Sequence, residues 1–113
     1  METKTAVNAL AALAQDSRLA IFRLLVQAGP AGIIASKIAE ELGVPASSLS
    51  FHLKELSHAD MVTSTQEGRF VTYRANFATM NALLAFLSEN CCGGNPCTPT
   101  NKIACPVNDD NAA

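Results

Sequence analysis

The sequence predicts a mainly α-helical fold carrying one β-hairpin, an α+β chain ordered helix–helix–helix–helix–strand–strand–helix. Three observations predict it. Apolar residues recur at the three-and-four spacing of a helix face through residues 7–59, the pattern changes to β-prone alternation across 61–75, and helical spacing returns from Phe77 to Asn90. The length of 113 residues argues for one domain, and with no Trp and a single Tyr the core falls to Ala, Leu, Ile and Val. A chain this short buries a modest share of its surface, so sharing a core with a second copy would help.

The first helix rests on Val7, Leu10, Ala11 and Ala14, which recur at the spacing of one helix face. Asp16 is a suitable N-cap for a second helix, Ser17 to Ala28, where Leu19, Phe22 and Val26 form a stripe flanked by Ile21 and Leu25. A helix apolar almost all round is expected to be central. Gly29-Pro30-Ala31-Gly32 ends it in a turn. A short third helix, Ser36 to Leu42, turns Ile38, Ala39 and Leu42 inward and stops at Gly43. Pro45 belongs beside or at the start of a helix, so the fourth helix runs from about Ala46 to Ala59 with Leu49, Leu53 and Leu56 buried. Met61 to Gln66 and Phe70 to Ala75, around Glu67-Gly68-Arg69, read as a hairpin. Asn76 caps a fifth helix ending near Asn90, striped by Phe77, Met80, Leu83, Leu84 and Leu87. From Gly93 onward Gly, Asn, Pro and Thr displace the helical pattern. The chain therefore divides into a folded unit, residues 1–90, and a flexible cysteine-containing tail, residues 91–113.

A third helix, a glycine-containing turn and a fourth helix make a helix-turn-helix, and the hairpin that follows makes it a winged one. The outward face of the fourth helix carries Ser47, Ser48, Ser50, His52 and Lys54. Small hydroxyls near a helix N-terminus permit close approach to the major groove and bond phosphates or base edges, and His52 can donate to either. Arg69, at the hairpin tip, is placed to reach the neighbouring backbone or minor groove. Any surface helix has a polar face, so the order of elements is the stronger signal. Phe51 lies off the leucine stripe, where it would pack against the wing or another subunit. The formal net charge of −2 counts against indiscriminate binding to nucleic acid. Between Lys37 and Arg74, the cations Lys37, Lys54, Arg69 and Arg74 are outnumbered by Glu40, Glu41, Glu55, Asp60 and Glu67. Affinity for DNA is therefore expected to depend on geometry and on two copies binding together.

The run from Ile38 to Pro45, then Leu49-Ser50-Phe51-His52-Leu53-Lys54-Glu55-Leu56, then Ala59-Asp60-Met61-Val62, resembles the helix-turn-helix of the ArsR/SmtB repressors of arsenical and metal resistance. Glu67-Gly68-Arg69 followed by Tyr73-Arg74 resembles their wing. The resemblance spans about residues 7 to 90. It implies a homodimer on double-stranded operator DNA, with the first and fifth helices paired across the two-fold, and with Ser50 and His52 facing the DNA in the family's Ser-x-His-Leu pattern. The stripe Phe77, Met80, Leu83, Leu84 and Leu87, together with Val7 and Leu10, is then the expected dimer interface.

Family members sense different ligands at different places. The Cys-x-Cys pair that one arsenic-sensing pattern carries at the third helix is absent from Ile33-Ile34-Ala35-Ser36-Lys37, and of the Asp, His and Glu pattern of zinc-sensing relatives Phe77 to Asn90 offers only Glu89. All four cysteines, Cys91, Cys92, Cys97 and Cys105, fall at the C-terminal end. They resemble the subgroup in which a Cys-Cys pair and a third cysteine after the fifth helix bind trivalent arsenic or antimony. As(III) prefers three thiolates in a pyramid, and soft sulfur selects soft acceptors. The third ligand is Cys97 or Cys105. Zinc in a four-cysteine site fits adjacent Cys-Cys poorly. Zinc, copper(I), cadmium, methylated arsenicals and thiol oxidation remain alternatives.

An enzyme is disfavoured. A catalytic cysteine needs a lowered pKa, whereas these follow a helix C-terminus, and neither a Cys-x5-Arg cradle nor a Cys-x-x-Cys pair is present. No organic cofactor is implied. With neither a secretory leader nor a membrane-length apolar run visible, the expected location is the cytoplasm, away from any membrane.

Overall fold

A computed structural model describes residues 1–94. Five helices and a three-stranded antiparallel sheet form a winged helix-turn-helix: α1 (Thr3–Leu13), α2 (Asp16–Ala28), β1 (Ile33–Ile34), α3 (Ala35–Leu42), α4 (Ala46–His58), β2 (Val62–Glu67), β3 (Phe70–Ala75) and α5 (Phe77–Leu87). Short 3-10 turns at Gly29–Ala31 and Cys91–Gly94 follow α2 and α5.

In α1 three of the alanines face inward. Ala6, Ala9 and Ala12 are buried, and their small side chains let the helix lie close to its neighbours. The stripe read from the sequence turns the other way, with Val7 54% and Leu10 42% exposed. Gln15, rather than Asp16, caps α2: its Oε1 accepts from the Arg18 N–H at 3.0 Å, which makes Asp16 the first helical residue. The Arg18 Nε then donates to the Ala12 carbonyl at 2.7 Å and ties α1 to α2. The buried face of α2 is Ile21, Phe22 and Leu25. It is rotated from the expected stripe, so that Leu19 is exposed at its edge.

Gly32 is followed by a strand too short to show a period. Ile33 pairs with Tyr73 and Ile34 with Thr72, so β1 adds a third strand to the expected hairpin in the order β1-β3-β2. Gly32 has φ +74°, and a Cβ there would stand 2.6 Å from the Tyr73 carbonyl oxygen. Arg74 braces the same corner, donating from Nε to the Pro30 carbonyl and from Nη1 to Thr65 Oγ1, each at 2.9 Å.

Gly43 takes the left-handed conformation at the end of α3, and the Val44 N–H closes back on the Ala39 carbonyl at 3.1 Å. Leu49, Leu53 and Leu56 of α4 meet Ile38, Ile21 and Leu25 in one core, which Met61, Val62 and Ala75 extend under the wing. Asn76 caps α5 as expected, its Oδ1 accepting from the Thr79 N–H. The helix stops at Leu87, short of Asn90. The Ser88 hydroxyl bonds back to the Leu84 carbonyl, the Glu89 N–H tightens onto Phe86, and Asn90 turns left-handed at φ 59°.

Candidate nucleic-acid interface and sensor segment

The geometry of α4 follows from its three leucines. They anchor one face in the core, so the rest of the helix stands out from the body behind a three-residue turn, Gly43 to Pro45. Ser47, Ser48, Ser50 and Lys54 are all exposed. His52 is half-buried at the flank. Its Nδ1 is buried without a hydrogen-bond partner, so Nε2 is the ring nitrogen left to reach outward. Pro45 supplies no side-chain cap, and the first backbone N–H groups of α4 stay unclaimed by side chains at the positive end of the helix dipole. Phe51, expected against the wing or another subunit, is not among the core residues or those packed against the core. It is 56% exposed, with its ring edge-on to His52 at 5.8 Å between centroids.

Arg69 stands in the two-residue loop Gly68-Arg69, closed by the Glu67–Phe70 pair, and is exposed. Gly68, at φ +64°, supplies the positive φ of this tight loop. Beside it, Phe70 is 54% exposed. A shallow depression of about 290 Å³ runs between the start of α3 and the wing, lined by Ile34, Ala35, Ser36, Arg69, Phe70 and Val71. Sequence reasoning did not single out Phe70, which alternation places with Thr72 and Arg74 on the face opposite Val71, Tyr73 and Ala75. The structure thus presents a polar helix face with a cationic residue and a wing with an arginine at its tip.

A helix-turn-helix domain family model matches residues 13–65, from the end of α1 into β2. The fold resembles that of an ArsR-like transcriptional regulator from Rhodococcus sp. RHA1, with a TM-score of 0.66 and 30% identity over 75% of this chain and 77% of that one. The chain belongs to the ArsR family of transcriptional regulators. Two further structures are similar to this ArsR-family chain. HlyU from Vibrio cholerae N16961 matches at TM-score 0.64 and 26% identity, over 81% of this chain and 99% of that one. A homodimeric winged helix-turn-helix DNA-binding domain from Mycobacterium bovis, described as a possible ArsR-family regulator, matches at 0.61 and 27%, over 77% and 81%. No curated protein matches the sequence.

Of the residues expected at a dimer interface, Val7, Leu10 and Leu87 are exposed, Phe77, Met80 and Leu84 are half-buried, and Leu83 is 4% exposed in the protomer's own core. Leu83 thus has little surface left for a second copy. Cys91 is half-buried and opens the 3-10 turn just after α5, its N–H donating to the Ser88 carbonyl at 3.1 Å, and Cys92 follows in the same turn. Cys97 and Cys105 lie outside the described residues. Among the described residues no group of three or more His, Cys, Asp or Glu forms a metal site, and no helix is long and apolar enough to cross a membrane.

Proposed function

We propose that this ArsR-family chain is an arsenite-responsive repressor that binds operator DNA as a homodimer in the cytoplasm. The observation that carries the DNA half is the exposed, uncapped start of α4. Ser47, Ser48, Ser50, His52 and Lys54 read base edges and phosphates in the major groove, while Arg69 contacts the adjacent backbone or minor groove. Support for the dimer comes from apolar side chains left in water. Val7, Leu10 and Leu87 are exposed, and an apolar groove of about 430 Å³ between α2 and α5, lined in part by Leu19, Val26, Met80 and Leu84, extends the same kind of surface. The Mycobacterium bovis neighbour is homodimeric. Two recognition helices in such a dimer would stand one DNA turn apart, roughly 34 Å.

Cys91, Cys92 and Cys97 supply the three soft thiolates that As(III), or Sb(III), requires, with Cys105 as the reserve ligand. The donor chemistry fits, since vicinal thiols provide two ligands with little chain to close. Residues 91–113 act as the sensor segment and residues 1–90 as the DNA-binding and dimerisation unit. Cys91 begins four residues beyond the last residue of α5, so a chelate there acts on the helix that carries the proposed dimer contact. A mobility-shift assay with the gene's own upstream DNA and an unrelated duplex of equal length, each with and without arsenite, tests the reading. Retardation of the upstream duplex alone, relieved by arsenite, is expected. Equal retardation of both duplexes, or none, contradicts it.

A further inference from the structure

We infer that Phe51 reads sequence by laying its ring on the C5-methyl group of a thymine in the major groove, an inference that rests on α4 being the recognition helix. At roughly 100° of rotation per residue, Phe51 lies about 140–160° around α4 from each of the buried Leu49, Leu53 and Leu56. It therefore projects almost straight away from the body, and more than half of its surface is in water at 56% exposure. A large exposed aromatic is ordinary when it is covered by something else or belongs to an apolar patch. Neither holds here. The depression between α3 and the wing is lined without Phe51. Its neighbours along the outward face of α4, Ser47 one turn before and Lys54 one turn after, are both exposed and polar. A protein partner would be met by a contiguous apolar patch. A single apolar point between a hydroxyl and an ammonium group matches the floor of the major groove, where the thymine methyl is the apolar feature among hydrogen-bonding edges and phosphates lie on either side.

The ring also has an aromatic neighbour. Its edge-to-face contact with His52, with centroids 5.8 Å apart and planes at 62°, couples it to a side chain whose Nδ1 is turned into the protein. Phe51 and His52 then divide the reading between them. The imidazole supplies the polar contact at the flank, and the phenyl ring supplies selection for thymine over cytosine, which offers no methyl at that position.

The test uses the full-length protein and two duplexes of the same upstream DNA, one containing thymine and one synthesised with deoxyuridine in its place, which removes only the methyl. Burying one methyl is worth about fourfold in affinity, and one in each half-site about fifteenfold. Wild-type protein should bind the deoxyuridine duplex about four- to fifteenfold more weakly, and Phe51→Ala should bind both duplexes alike at the weaker level. Because Phe51 is exposed, this variant should keep the wild-type melting temperature. Equal wild-type affinity for the two duplexes overturns the inference, as does a Phe51→Ala protein that retains the full thymine preference. A change of dimer mass in Phe51→Ala with thymine preference unchanged would place the ring in a protein contact and overturn it as well. Wild-type protein that binds neither duplex contradicts the DNA-binding reading itself, and this inference with it.

Discussion

Gly32 sits where no side chain fits. Its φ of +74° and the Tyr73 carbonyl oxygen 2.6 Å from any Cβ oppose substitution from two directions, strain and collision with backbone. Gly32→Ala should cost about 1–3 kcal/mol, lowering the melting temperature by roughly 5–20 °C in a domain this small. A thermal melt within a degree of wild type would show that the corner yields. The polar residues of α4 predict a different signature. Ser50→Ala and His52→Ala should each weaken operator binding by about 1–3 kcal/mol with the fold intact, as expected for lost base contacts. Arg69→Ala should weaken binding evenly across sequences and reduce the salt slope by about 1, as expected for a lost phosphate contact. Fluorescence anisotropy against salt concentration separates the two, and unchanged affinity of His52→Ala would misplace the recognition face. Residue-level reading of the sequence located these side chains on the outward face because the leucines opposite them are unambiguous. It missed Gln15 as the cap of α2, because Asp16 is the more usual capping residue and only the Gln15 contact with the Arg18 N–H decides between them.

Helices with a strong period and a defined stop were legible as elements. The Leu49, Leu53 and Leu56 stripe, Gly43 at the end of α3 and the Asn76 cap each carry a local physical cause, and the structure places them accordingly. β1 was not legible, because two residues show no alternation and their partner, β3, is some forty positions away along the chain. The end of α5 was overestimated because the apolar spacing continues past Leu87, while the Ser88 hydroxyl and the left-handed Asn90 stop the helix. α1 and α5 pose a subtler difficulty. A helix face made for a partner has the same period as one made for the protomer's own core, and in α5 the proposed partner face and the core face share one helix. Leu83 and Leu87 make the distinction testable. Leu83→Ala should destabilise the protomer by about 2–5 kcal/mol, the loss expected on emptying a core site. Leu10→Glu together with Leu87→Glu should leave the helical circular dichroism in place and shift the sedimenting species from dimer to monomer. A double variant that still sediments as a dimer would remove these faces from the interface.

At the scale of the whole molecule, the proposed DNA-reading elements are α4 and the wing, and the proposed sensing elements, α5 and the Cys91–Gly94 turn, follow them along the chain. If As(III) binding at the cysteines and DNA binding at α4 oppose each other, the antagonism is mutual, and a coupling of about 1–3 kcal/mol lowers operator affinity roughly 5- to 150-fold. The winged fold was legible from the order of its elements. The proposed sensor rests on chemistry alone, four thiols within a short stretch, because a chelate is specified by how the chain folds around its ligand and not by spacing alone. Cys91→Ser, Cys92→Ser and Cys97→Ser should each retain operator binding and lose the response to arsenite, and Cys105→Ser should keep most of it. The measurement that bears most directly on the account is operator affinity, with and without arsenite, for wild type and for the variant with all four cysteines replaced by serine. The account predicts equal affinity for the two proteins without arsenite and, on its addition, release of wild type alone. Release of the serine variant from DNA to the same extent as wild type would contradict it.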